Sequence, residues 1–328
     1  MIAAFFLLAI GFMFGLDLVG SELAQHASTL AAPSLILVSF CQTVATFLDT
    51  NIPWPAFLRS MMLIFSSLNF NLELTRPECA GKFGALQKVQ VALLMPVFVG
   101  GAIAVYALIS LVKIQRNSIA TAEQRRSARS QLLRKLASVA TTLLSVGAIF
   151  FTKSFLRAFA CVASESDSDR KFMASAPEIE CWSRSSEHPK IVALSQIGLL
   201  SFAGCFAVIC FFLVKAHRSD NPGLGFFAFL ADKYEDHFFY WEMIITVRKI
   251  LLMAIFLLLD QVLAVLLATF LTIFSLSIHI AARPFEDTGT DWTEMLSLCA
   301  QLLTLTAGPI FVILVSGASV CSFIGSEN

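Results

Sequence analysis

A helix needs about 20 apolar residues to cross the hydrocarbon core of a bilayer, and the chain falls into runs of that length. They occupy 1–19, 30–48, 89–112, 136–156, 191–214, 240–259, 262–282 and 295–318. No strand-like alternation of apolar and polar positions runs through them, so helices are the expected spanning element. The pattern predicts an all-α polytopic membrane protein with about eight transmembrane helices.

A further segment, 53–76, reads "PWPAFLRSMMLIFSSLNFNLELTR" and is apolar only from Ser60 to Leu68. That is roughly half a crossing. Pro53, Trp54 and Pro55 interrupt its start, and Arg59, Asn69, Asn71 and Glu73 bracket its middle. An interfacial or re-entrant helix is expected there. A full crossing is the alternative, and it would move the N-terminus to the other side of the membrane. The run 1–19 opens without the basic stretch of a secretory signal, so it is read as a span, with a signal peptide as the alternative.

The polar segments set an orientation. Residues 113–135 carry Lys113, Arg116, Arg125, Arg126, Arg129, Arg134 and Lys135 against Glu123 alone, which marks a cytoplasmic loop under the positive-inside rule. Residues 161–190 hold Glu165, Asp167, Asp169, Glu178, Glu180 and Glu187 against four bases and are expected outside. Alternation then places 215–239 and 283–294 inside. No repeat or soluble domain interrupts the chain, so residues 1–328 form a single transmembrane domain. Trp54, Trp182, Trp241 and Trp292 fall near segment ends, where interfacial anchors belong.

Composition agrees: 57% of residues are hydrophobic, 14% are charged, and mean hydropathy is +0.77. A formal net charge of zero supplies no field for nucleic acid, and no nucleic-acid motif is present. The partner implied is the lipid bilayer. Of eight cysteines, Cys41, Cys205, Cys210 and Cys299 lie in apolar runs as packing residues. Cys79, Cys161, Cys181 and Cys321 fall in polar segments, and Cys161 with Cys181 is the favoured disulfide. Such a bond points to the plasma membrane or a secretory-pathway membrane. No zinc-type spacing, nucleotide glycine loop, H-E-x-x-H or G-x-S-x-G motif occurs, so neither an enzyme nor a cofactor or metal is expected.

The stretch "KYEDHFFYWEMIITVRKILLMAIFLLLD", from Lys233 to Asp260, sets charge inside an apolar run. Glu242 lies six and seven residues from Arg248 and Lys249, about two turns, so no direct pair forms along the helix. Counted from Tyr240, the two bases sit roughly 12 Å into the bilayer. Charge there costs a few kcal/mol or more unless it is paired or wetted. An inter-helix network joining Arg248 or Lys249 to Glu294 is expected, with Asp291, Glu286, Asp287 and Glu242 of a neighbouring subunit as other candidate partners. Alternatively, the span begins near Ile250 and the bases snorkel to headgroups. Only ten residues then separate Lys249 from Asp260, too few to cross.

Other candidates are weaker. Asp232, Glu235, Asp236 and His237 offer oxygen-rich ligands to a hard cation, but their spacing matches no Ca²⁺ loop, and a solvated charge cluster is the simpler reading. His279, the one ionisable group within its own apolar run, lines a path or hydrogen-bonds a neighbouring helix. Asp17 suits an interface. Gly11 and Gly15 permit close helix contact, and Pro96 with Gly100 and Gly101 is the break in an otherwise regular run.

In order, "SFCQTVATFLDTNIPWP", "NFNLELTRPEC", "LLMPVFVG", "FLADKYEDHFFYWEMIITVRKI" and "SLSIHIAARPFEDTGTDWTEMLSL" resemble the membrane region of transient-receptor-potential-like proteins of unicellular eukaryotes. Those proteins are commonly attached to ephrin-receptor-like cysteine-rich ectodomains. More distant relatives are the fungal transient-receptor-potential-like proteins, some called flavin carriers, and the polycystins. The resemblance covers roughly residues 30–315. It is most specific at Tyr240, Trp241 and Glu242 followed by Arg248 and Lys249, and at Arg283, Pro284 and Phe285 followed by Glu294.

The resemblance implies a channel-like protein, a cation channel or sensor subunit, acting as a homo-oligomer or within a larger membrane complex. A carrier of a small molecule or lipid, or a non-transporting structural subunit, is the alternative.

Overall fold

A computed structural model describes residues 21–49, 52, 54–67, 84–116, 121–164, 170–218 and 233–324. The expected span 1–19 lies outside the described residues, as do Asp17, Gly11, Gly15, Cys79 and Asp232. Described helices are α1 (Ser21–Thr46), α2 (Ala56–Ser66), α3 (Ala85–Arg116), α4 (Ala122–Leu156), α5 (His188–Arg218), α6 (Trp241–Leu258), α7 (Gln261–Ala282) and α8 (Thr288–Ile324). Ala85–Arg116, His188–Phe211, Gln261–Ala282 and Thr288–Phe311 are long and apolar enough to cross a membrane. The chain is thus a mostly helical protein of membrane type. Helix α6 has 18 residues, about 27 Å of rise, but carries Glu242, Arg248 and Lys249.

Local chemistry sets the boundaries. The Thr121 hydroxyl accepts the Gln124 amide while the Gln124 side chain accepts the Thr121 amide, a reciprocal cap that starts α4. Asp260 separates α6 from α7, and its carboxylate accepts the Leu263 amide at 3.2 Å. Helix α7 ends at Arg283, whose φ of 43° is left-handed and precedes a proline that cannot continue the helix. Pro96, Gly100 and Gly101 do not break α3, which runs unbroken from Ala85 to Arg116.

The two polar segments carry regular structure among their described residues. Helix α3 continues to Arg116 and α4 begins at Ala122, because a run rich in Ala, Gln, Leu and Arg has high helix propensity and a strong cap before it. Residues 161–190 contain a small antiparallel sheet within an otherwise all-α fold. Its strands, β1 (Cys161–Ala163), β2 (Lys171–Met173) and β3 (Ala176–Glu180), pair in chain order. The Cys161–Cys181 disulfide ties β1 to the residue after β3. It supplies a restraint that three short strands lack on their own.

The core forms two main clusters. One joins Val44, Phe47, Trp54, Met62, Leu252, Phe256, Ala264, Ala268 and Leu305, and so gathers α1, α2, α6, α7 and α8. Helix α2 turns back along α1: Trp54 stacks on Phe47 at its start, and Phe65 meets Phe40 near its end. With 11 residues it spans about 16 Å, less than a crossing. The second cluster joins Val89, Ala92, Phe150, Phe155, Met173 and Ile191, so α3, α4 and α5 close over the sheet.

Candidate functional site

The site is built where the start of α6 meets the turn between α7 and α8. Tyr234 and Phe285 form an antiparallel bridge, with the Glu235 amide donating to the Pro284 carbonyl at 2.9 Å and the Glu286 amide to the Lys233 carbonyl at 3.3 Å. This pairing lays the segment before α6 against the Arg283-Pro284-Phe285 turn. Ile36, Trp241 and Ile245 complete an apolar cluster around the two aromatic rings. Asp287 fixes the same turn by accepting the amide and hydroxyl of Thr290, both at 2.8 Å. That hydroxyl, together with the Thr290 and Gly289 amides, holds the exposed Asp287 carboxyl below the ordinary aspartate range.

Glu242 is the first anchor. One carboxylate oxygen accepts the Lys233 ammonium and the Tyr234 hydroxyl, the latter at 2.9 Å; the other accepts the Ser145 hydroxyl of α4 at 3.0 Å. These three partners all lie within its own chain. Tyr234 is 2% exposed, and burial first, then the Glu242 carboxylate, push its phenol well above the ordinary value.

Arg248 is the second anchor. Its Nη2 donates to Glu294 Oε1 at 2.7 Å, with side-chain exposures of 9% and 2%. Helix geometry places Arg248 on a different face from Glu242 and directs it to α8. Both Arg248 and Lys249 lie inside the bundle rather than reaching outward along its surface.

Lys249 is 4% exposed. Its ammonium lies within electrostatic reach of Glu242 and Glu294, and of the like charges on Arg248 and Lys233. Three cations, Lys233, Arg248 and Lys249, therefore share two anions, Glu242 and Glu294. The polar interior continues on α1, where the amide nitrogen of Gln42, fully buried, donates to the Val146 carbonyl at 2.9 Å.

His279 is buried, with Nε2 3.2 Å from the Asp291 carbonyl and 3.6 Å from its carboxylate, and its ring lies between Trp241 and Phe285. It thus links α7 to α8. Glu235, Asp236 and His237 do not converge. All three are exposed, and among the described residues no group of metal-ligand dimensions forms there.

A second cluster surrounds the disulfide. His188 is fully buried beside it: its Nδ1 accepts the Trp182 amide at 3.2 Å, and its Nε2 faces the Ala158 carbonyl at 3.0 Å and Cys161 Sγ at 3.8 Å. An imidazole that accepts at Nδ1 carries its proton at Nε2. With both sulfurs bonded to each other and Nε2 protonated, the trio has no free ligand atom for a metal.

Sequence reasoning missed Ser145, Lys233 and Tyr234 as partners of Glu242, and His188 as the support of the disulfide. Lys233 and Tyr234 stand nine and eight residues before Glu242, a separation the chain spans only by folding back. Ser145 and His188 left no comparable trace, since nothing local distinguishes them from other helix residues.

The chain matches no family model, and no curated protein or solved structure matches it.

Proposed function

We propose that this is a multi-pass channel-like membrane protein, passing or sensing cations, in which the Arg248–Glu294 pair locks α6 to α8. The observation that carries the proposal is the burial of that pair between α8 and an otherwise apolar α6. Charge inside a membrane bundle is expensive and concentrates where ions pass or where helices change register. In this reading α1, α4 and α6 cross the bilayer beside the four longer apolar helices, the segment 1–19 supplies an eighth crossing, and α2 is re-entrant. The basic end shared by α3 and α4 faces the cytoplasm and the disulfide-bonded sheet faces out. The resemblance to transient-receptor-potential-like proteins points the same way.

The test is cation flux into liposomes holding the purified chain, wild type against Arg248→Gln. Flux in the wild type that changes in the variant supports the proposal; no flux from a folded, monodisperse protein overturns it. A structural subunit is the second reading, favoured by the open face of α3, where a Cβ added at Gly100 or Gly101 meets nothing within 4 Å. A carrier of a small molecule or lipid is the remaining alternative, and it rests on the resemblance to the fungal proteins.

A further inference from the structure

A groove of about 560 Å³ runs along the end of α3, lined by Leu108, Ile109, Val112, Lys113 and Arg116. Ile109, Val112, Lys113 and Arg116 recur at helical spacing on one face, so an apolar strip passes directly into two cations. Leu108, Ile109 and Val112 are exposed, with Leu108 at 64%. Two bases in a last helical turn also suit the negative end of the helix, but that needs no apolar groove beside them.

Helix α4 adds charge at the same level. Tyr106, 2% exposed, packs against Leu132, and the Lys135 ammonium lies over its ring at 5.8 Å. Counting seven residues from Tyr106 to Lys113 and seven back from Leu132 to Arg125 along antiparallel helices puts Arg125 and Arg126 at about the height of Lys113. Arg126 and Arg129 are exposed.

We propose that this elbow binds an anionic phospholipid, its phosphate held by Lys113 and Arg116 and its acyl chain lying over Leu108, Ile109 and Val112. The inference rests on the membrane-spanning reading of α3. A free phosphate would satisfy the bases and leave the apolar strip uncovered, whereas a phospholipid covers both. Basic clusters at the cytoplasmic edge of a span attract anionic headgroups.

The test uses the full chain in phosphatidylcholine vesicles with and without phosphatidylserine, read by melting temperature and by native mass spectrometry of retained lipid. Expected is a melting temperature that rises with phosphatidylserine, and a Lys113→Gln, Arg116→Gln double variant that retains the lipid about thirtyfold more weakly. Ile109→Asn should weaken retention too, while Lys215→Gln, at the end of α5, should not. The proposal is overturned if wild type shows no rise, if the double variant retains lipid like wild type, if Lys215→Gln loses as much, or if inorganic phosphate reproduces the rise. Alkaline carbonate extraction separates the two readings. Release of the chain overturns the membrane assignment and this site with it; retention without lipid preference overturns the site alone.

Discussion

Arg248 Nη2 stands 2.7 Å from Glu294 Oε1, and the pair bridges α6 and α8 across 46 residues of sequence. Removing one partner of a buried pair strands the other charge, at a cost of about 3–5 kcal/mol. Arg248→Gln and Glu294→Gln should therefore each lower thermal stability strongly, and the double substitution should cost much less than their sum. Melting curves in detergent form the cycle, and strictly additive losses would rule out the coupling.

The Tyr234 hydroxyl bond to Glu242 makes a separate prediction. Tyr234→Phe removes a hydrogen bond to a charged acceptor and should cost about 1.5–3 kcal/mol. Lys233 and Ser145 still hold the carboxylate in that variant, so the loss should stay below that of Glu242→Gln. Equal losses in the two variants, measured by denaturation, would contradict the geometry.

The same tyrosine gives a pH dependence. Its folded-state pKa is raised well above the ordinary 10.0, so the unfolded chain loses this proton first. Its contribution to stability is complete below pH 10 and is lost as pH rises through the folded value. The phenolate absorbance difference between wild type and Tyr234→Phe should contain a component titrating above the ordinary tyrosine range. A component at the ordinary value would show that Tyr234 is solvated.

At the disulfide, His188→Ala leaves the Trp182 amide and the Ala158 carbonyl without their partner, at about 1–3 kcal/mol for each group. Cys161→Ser should cost on the order of 3 kcal/mol by the loop it opens. Both should lower the melting temperature, and mass spectrometry without reductant should find Cys161 and Cys181 joined in His188→Ala. Free thiols in the wild type would remove the basis for both.

Glycines separate tight from open helix contacts. A Cβ at Gly198 would lie 2.5 Å from the Phe155 ring, and one at Gly308 would lie 2.7 Å from Trp54. Gly198→Leu and Gly308→Leu should each destabilise by about 1–3 kcal/mol. Gly100→Ala meets nothing within 4 Å and should stabilise α3 by up to about 1 kcal/mol. A loss of stability in Gly100→Ala would show that this face is covered in the assembled protein.

The sequence by itself determined the helices and the cost of the charges within them. Apolar runs at 89–112, 191–214, 262–282 and 295–318 required helices, because backbone groups in lipid must bond within their own segment. Two bases inside an apolar run, Arg248 and Lys249, required partners because charge in apolar surroundings is costly. Cys161 and Cys181 stood out because both lie in one polar segment, 161–190.

Only the tertiary structure decided which partners are used. Tyr234 reaches Glu242 because its segment bridges Phe285, and Ser145 reaches it because α4 lies against α6. The helical course of 122–135 and the strands of 161–180 depend on a cap, a disulfide and a buried imidazole rather than on hydrophobic period. Local patterns measure how costly a charge is at a given depth; only the approach of distant segments determines what neutralises it.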